Sequence, residues 1–398
     1  MTRPNVLFVV IDTLRADSVQ GRHVATPVLD SVAERGVFFE QCIATATMTT
    51  PSFAAMLTGC YPMKHGLRGL HGYRLSPDVT TLAEALGAAG YHTRAEVTGP
   101  LLPETDVTRG FASSRHRVSG EFLAWRDEVL GAFADLPEPW MGLLHVWEVH
   151  NPFRAPPDFR ERWDRAGYER VVTAVDEGLA PFLQRDDCVV VVTGDHGEQF
   201  PDSRRERVVT WAVRKLYPRL RLGGRARGLD RWLARNTLGH GHAVYEHLVR
   251  VPLLVAGPGI PHRVVPDQVR HVDVAPTIAA LCGASMPTAD GRSLAPLWSG
   301  ADLPEEPAYV EAGEVVRSDD DPIVCLRTSE WKLVRELGRE SLYRVPDETR
   351  DLSAEHPAVA ETLRGRLDEL TSTRVTGSGM TEDEEAVVES HLRDLGYL

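Results

Sequence analysis

Short runs of β-branched and apolar residues alternate along the chain with longer stretches in which apolar positions recur at helical spacing. That is the signature of parallel strands joined by crossover helices. The run at 5–11 is almost continuously apolar, as a strand covered on both faces requires. A helix is predicted over 27–35, with Thr26 as N-cap, Pro27 in its first turn and Gly36 as its stop. Further strands are expected at 37–44, 93–97, 140–147, 188–193 and 252–256. From about residue 305 the pattern shortens to strands at 308–311, 323–328 and 332–336, followed by helices at 358–370 and 382–395. The pattern predicts an α/β fold: a large, mostly parallel sheet within 1–304 and a smaller α+β unit over 305–398.

Composition narrows the function. A net charge of −13 argues against a nucleic-acid partner, because phosphate backbones reward cations clustered on one face. The segment 203–238 is the exception: from Arg204 to Arg235 it is strongly basic, opposed only by Glu206 and Asp230. It reads as an insertion, a solvated helical excursion beside the site, with a lid or a docking surface for anions as the alternative. The N-terminal apolar run is too short for a secretory core, and no stretch approaches the roughly 20 apolar residues that span a bilayer. The expected location is therefore the cytoplasm. The five cysteines are odd in number and lack any CxxC pair, so buried thiols are expected in place of a disulfide framework.

Five constellations carry chemistry. Asp12 falls at the end of the first strand, where open α/β sheets present their ligands. Thr49-Thr50-Pro51-Ser52 leads into a short helix stopped by Gly59, so a hydroxyl stands beside unpaired backbone N–H groups and the positive end of a helix dipole. Gly194-Asp195-His196-Gly197-Glu198 follows the most apolar strand and places a carboxylate and an imidazole in a glycine-flanked turn, a donor set suited to divalent metals. His150 and His242 lie in loops, off any apolar helix face.

In their order along the chain, Pro4-Asn5-Val6-Leu7 through Asp12, Pro51-Ser52 with Leu57-Thr58-Gly59, the Gly194 to Glu198 turn, and Arg250-Val251-Pro252-Leu253 resemble the sulfatase family. Arg327-Thr328, Trp331-Lys332-Leu333 and Ser341-Leu342-Tyr343 resemble its closing segment, so the likeness spans nearly the whole chain. The resemblance implies an alkaline phosphatase-like sandwich with a smaller C-terminal subdomain. It also implies that Asp12, Asp195 and His196 hold a divalent cation (Ca, Mg, Mn or Zn), with Thr49 as nucleophile and further metal contact. One ion is expected, and Glu148 is the candidate ligand for a second. His150 and His242 would contact the oxyanion, with Thr50, Ser52 and His240 as further substrate-binding positions.

The chain also departs from that family. Sulfatases carry Cys or Ser two residues before the proline, converted to formylglycine, and follow Pro-Ser with Arg; here Thr49 and Phe53 occupy these positions. Threonine cannot become the hydrated aldehyde that expels sulfate, so a covalent intermediate has to be cleaved by water, which favours phosphoryl chemistry. Thr13 replaces a second metal aspartate, and the Lys and His that usually follow the Gly90-Tyr91-His92-Thr93 turn are absent. The expected function is metal-dependent hydrolysis of a small sulfate or phosphate ester through Thr49. A phosphodiesterase-type phosphotransferase and a catalytically inactive metal-binding homologue are the alternatives. Oligomeric state is left open.

Overall fold

The computed structural model describes residues 3–19, 24–117, 121–150, 165–200, 208, 239–313, 322–372 and 379–395. The expected basic insertion at 203–238 therefore lies outside the described residues, apart from Val208.

Strands β1 (Asn5–Ile11), β2 (Val37–Ile43), β3 (His92–Thr98), β4 (Ser113–Arg117), β5 (Trp140–Val146), β6 (Cys188–Gly194), β7 (Arg250–Ala256) and β8 (Arg263–Arg270) form one sheet. Its order is β4-β3-β5-β1-β6-β7-β2-β8, and β7 runs antiparallel to both neighbours while the other pairs are parallel. The central strands β1, β5 and β6 are buried along their whole length. Alternation divides β1 between two cores: Val6, Phe8 and Val10 face one side, Leu7, Val9 and Ile11 the other. The first face is covered by helices α2 (Thr49–Thr58), α3 (Leu82–Ala88) and α6 (Val274–Leu281), the second by α1 (Pro27–Arg35), α4 (Phe122–Ala134) and α5 (Arg165–Gly178). Each fully buried Leu, Val or Phe contributes about 1.5–3 kcal/mol, so these two layers hold the sheet.

Edge strands β4 and β8 are absent from the sequence expectation because their residues, SSRHR and RVVPDQVR, show no apolar run. β4 buries none of its residues and β8 half of them, so neither needs a continuous apolar run, and the exposed charges suit a boundary with water. The helix at 27–35 forms as predicted, but Thr26 does not cap it with its side chain. Its hydroxyl donates to the Ser18 carbonyl instead, and the Asp176 carboxylate, reaching over from α5, accepts the Val28 and Leu29 amides at 3.0 and 2.8 Å.

The second sheet, β12-β11-β10-β9, is antiparallel and comprises β9 (Ala308–Ala312), β10 (Ile323–Arg327), β11 (Trp331–Glu336) and β12 (Arg339–Arg344). Leu326, Leu333 and Leu342 pack with Ala360, Leu363 and Leu367 of α7 (Pro357–Ser372), and α8 (Glu382–Leu395) follows. Buried Lys332 and Arg327 both hold Glu246, which tethers this sheet to the segment preceding β7. Burial opposes Glu246 ionisation, but Lys332 and Arg327 overcome it and pull its carboxyl down to about 2.

Candidate active site

The register of the parallel strands assembles the site. Ile11 pairs with Val146 on one side and Gly194 on the other, so the carboxyl ends of β1, β5 and β6 finish level. Asp12, the segment from His145 to His150, and Asp195 with His196 therefore emerge at one edge, where open α/β sheets place ligands. The amide of Asp12 donates to the Val146 carbonyl at 2.9 Å and extends the pairing by one residue.

Asp12, Asp195 and His196 are fully buried, and one ligand atom from each lies within 4.8 Å of the others. Asp195 Oδ1 is spent on the Thr13 and His196 amides, at 2.9 and 2.8 Å. His196 Nδ1 meets the Gly197 carbonyl at 2.9 Å; a carbonyl only accepts, so the proton is on Nδ1 and Nε2 carries a lone pair. Asp12 Oδ1, Asp195 Oδ2 and His196 Nε2 are buried with no hydrogen-bond partner among the described residues. Two carboxylate oxygens and an oriented imidazole nitrogen, all unsatisfied and convergent, fit a divalent cation. Burial, followed by the charge of Asp195, pushes the Asp12 carboxyl well above the usual range, the penalty such a cation offsets. The turn admits no side chain at its glycines: a Cβ at Gly197 would fall 2.0 Å from the His247 carbonyl oxygen, and one at Gly194 2.4 Å from that of Leu14.

Thr49 is the first residue of α2, whose N-cap Met48 supplies no side-chain cap. Its hydroxyl is buried and donates to Asp12 Oδ2 at 3.2 Å, which places Oγ1 against the acidic cluster at the positive end of the helix. The neighbouring hydroxyls serve the framework. Thr50 donates to the Pro100 carbonyl at 3.2 Å, and Ser52 to the Asp195 carbonyl at 2.6 Å, tying the helix to the metal-type turn.

On the opposite wall the rings of His196 and His240 lie 4.4 Å apart, and His150 Nε2 meets His240 Nε2 at 3.2 Å. Glu198 Oε2 accepts from His240 Nδ1 at 3.1 Å, so His240 is oriented through Nδ1 and meets His150 through Nε2. His240 is thus joined to both His150 and Glu198. His242 stands two residues further on, half-buried, its basicity lowered to about 4 by desolvation and then by His240.

Glu148 lies outside the Asp12, Asp195 and His196 group. One carboxylate oxygen accepts the Phe122 amide at the start of α4, and burial raises the group to about 6. The residue that the sequence reading missed is His145. Buried in β5, it places Nε2 3.6 Å from Asp12 Oδ2 and its Nδ1 3.2 Å from both the carbonyl and the hydroxyl of Thr98. Burial lowers it to about 4, so it stays neutral. Phe53 meets its ring edge-on at 4.8 Å and fills this corner with an apolar face. A polar residue inside an otherwise apolar strand was the available signal.

An α/β sheet with this donor cluster and hydroxyl at its carboxyl edge has the layout of a hydrolase. Residues 4–284 match the family model described as Sulfatase, and the chain belongs to the sulfatase family, whose members are metal-dependent hydrolases of ester bonds. The choline-sulfatase of Rhizobium meliloti (strain 1021) is 23% identical over 98% of this chain and 90% of its own length. The uncharacterized sulfatase YidJ of Escherichia coli (strain K12) is 23% identical over 72% of this chain and 69% of its own. The crystal structure of a phosphonate monoester hydrolase of Agrobacterium radiobacter superposes with a TM-score of 0.72 at 17% identity, covering 94% of this chain and 96% of that one.

Proposed function

We propose that the chain hydrolyses a small anionic ester through Thr49, with phosphate esters, monoester or diester, preferred over sulfate esters. The observation that carries the reading is the position of Thr49 Oγ1, at the N-terminus of α2 and 3.2 Å from Asp12 within the buried cluster. Asp12, Asp195 and His196 would hold the divalent ion, which when bound supplies electrostatic stabilisation of charge on the ester oxygens. Thr49 Oγ1 forms a bond to phosphorus as the ester P–O bond breaks, its proton leaving toward the Asp12 carboxylate. The departing alkoxide takes a proton from the His150–His240 pair, which Glu198 orients through Nδ1 of His240. Water then attacks phosphorus as the Thr49 Oγ1–P bond breaks; the proton held by Asp12 returns to Oγ1, and a proton from the water restores the His150–His240 pair as the phosphate product leaves. The preference for phosphorus follows from the threonine, which cannot become an aldehyde hydrate and so cannot expel sulfate by elimination.

The test is hydrolysis of matched nitrophenyl sulfate, phosphate monoester and phosphate diester, with calcium, magnesium, manganese or zinc, by the wild type and Thr49→Ala. The expected result is phosphate-ester turnover that the substitution removes while bound metal stays. Full activity in the variant would take Thr49 out of the chemistry, and activity on sulfate alone would reverse the assigned preference.

A further inference from the structure

The segment at the end of β3, residues 98–102, makes no ester-binding contact in the scheme above, yet it touches several of the residues that flank the site. Thr98 holds His145, which faces Asp12. Gly99 lies flat against Trp147: its φ is +61°, and a Cβ there would fall 2.8 Å from Trp147 Cδ1. Trp147 in turn stacks on His150, ring centroids 4.7 Å apart. The Pro100 carbonyl accepts the hydroxyl of Thr50, next to the nucleophile. Leu102 joins Met48, the N-cap of the nucleophile helix, in an apolar cluster.

The other half of that cluster comes from the far end of the chain. Val388 and Leu392 of α8, with Met380 just before it, complete the group around Met48 and Leu102. His391 on the same helix is buried, and its Nε2 meets the Gly99 carbonyl at 3.2 Å. His116 of β4 reaches the same carbonyl at 2.9 Å, and the two imidazoles stand edge-to-face at 5.3 Å. A carbonyl oxygen has two lone pairs and no proton, so both rings donate and Gly99 is pinned from two sides. Arg74 to Glu384, at 2.7 Å, fastens the start of the helix to the catalytic domain.

We propose that the terminal helix is a positioning element of the active site, with His391 as its contact: it locks the 98–102 turn and, through Trp147 and Thr50, aligns His150 with Thr49. The catalytic part of this inference rests on the function proposed above, whereas the locking of the turn does not. A misplacement of about 1 Å in such a group costs on the order of 100-fold in rate, so a distant helix can matter without touching substrate.

The experiment compares full-length wild type, His391→Leu and His391→Gln by hydrogen–deuterium exchange and by steady-state kinetics on whichever nitrophenyl ester is turned over. The leucine keeps the apolar contact and removes the donor; the glutamine amide restores one. In His391→Leu, peptides covering 98–102 and 145–150 should exchange about tenfold faster, with kcat reduced about tenfold and KM within twofold. His391→Gln should return both readouts toward wild type. Exchange accelerated only within 379–395, unchanged kcat, or a glutamine variant as impaired as the leucine would overturn the proposal. If no ester is hydrolysed by the wild type, the function reading fails, and exchange at 98–102 and 145–150 still decides whether the helix locks the turn. Should His391→Leu not fold, Val388→Ala thins the same cluster and is read on the same peptides.

Discussion

Ser52 stands three positions after Thr49 and donates to the Asp195 carbonyl at 2.6 Å, so two hydroxyls on one helical turn have different work. What separates them is direction. The Thr49 hydroxyl points to a carboxylate whose other oxygen has no hydrogen-bond partner among the described residues, whereas that of Ser52 is spent on the Asp195 carbonyl. The same logic separates His240 from His242. Only His240 has a carboxylate on one nitrogen and a second imidazole on the other, the arrangement that orients a ring for proton transfer. His240→Ala should therefore lower kcat on the order of 100-fold or more, as loss of a general acid does, while His242→Ala should lose less than tenfold. Steady-state rates for both variants check this, and the reverse order would return catalysis to His242. The residue types at these positions are legible in the sequence. Their division between chemistry and support is not, because it depends on partners distant in the chain.

Elements obeyed the apolar pattern wherever burial was complete. Strands β1, β5 and β6 lie within a residue of their expected ends because every position in them is buried. Edge strands β4 and β8 carry no such pattern and were invisible. Caps were misread for a related reason: the local candidate, Thr26, turns its hydroxyl to the Ser18 carbonyl, and Asp176, a carboxylate 150 positions beyond it, accepts the two amides with its two oxygens. Asp176→Ala should accordingly destabilise the protein by about 2 kcal/mol, the scale of a lost cap in which two buried amides go unpaired. Urea denaturation reads this as a lower midpoint, with Asp176→Asn between the two; an unmoved midpoint would assign the capping elsewhere.

At the scale of the whole molecule, buried imidazoles with lowered basicity outnumber the raised carboxyls of Glu148 and Asp176 in the mildly acidic range. His65 is lowered to about 3 by desolvation and then by Arg68, and His247 to about 4 by desolvation and then by Arg15. Both folded values lie below the ordinary 6.5, so the unfolded chain binds more protons between them. Their contribution to stability is complete above about pH 6.5 and is lost as pH falls toward 4, at about 1.4 kcal/mol per pH unit for each group. Glu246, held at about 2, gives way only in stronger acid. Thermal unfolding from pH 7.5 to 4.5 should show Tm falling through this window, and a flat profile would mean these histidines titrate normally.

By itself, the sequence determined the α/β class and the buried strands, because apolar periodicity is written locally, and its ordered motifs singled out Asp12, Thr49, Asp195 and His196 as the residues of the proposed site. Tertiary structure alone decided that β1, β5 and β6 end level, that His145 faces Asp12, that His240 pairs with His150, and that α8 reaches back to Gly99. Those facts depend on strand order and on packing between segments far apart in the chain. No local pattern encodes which carbonyl a distant imidazole will find.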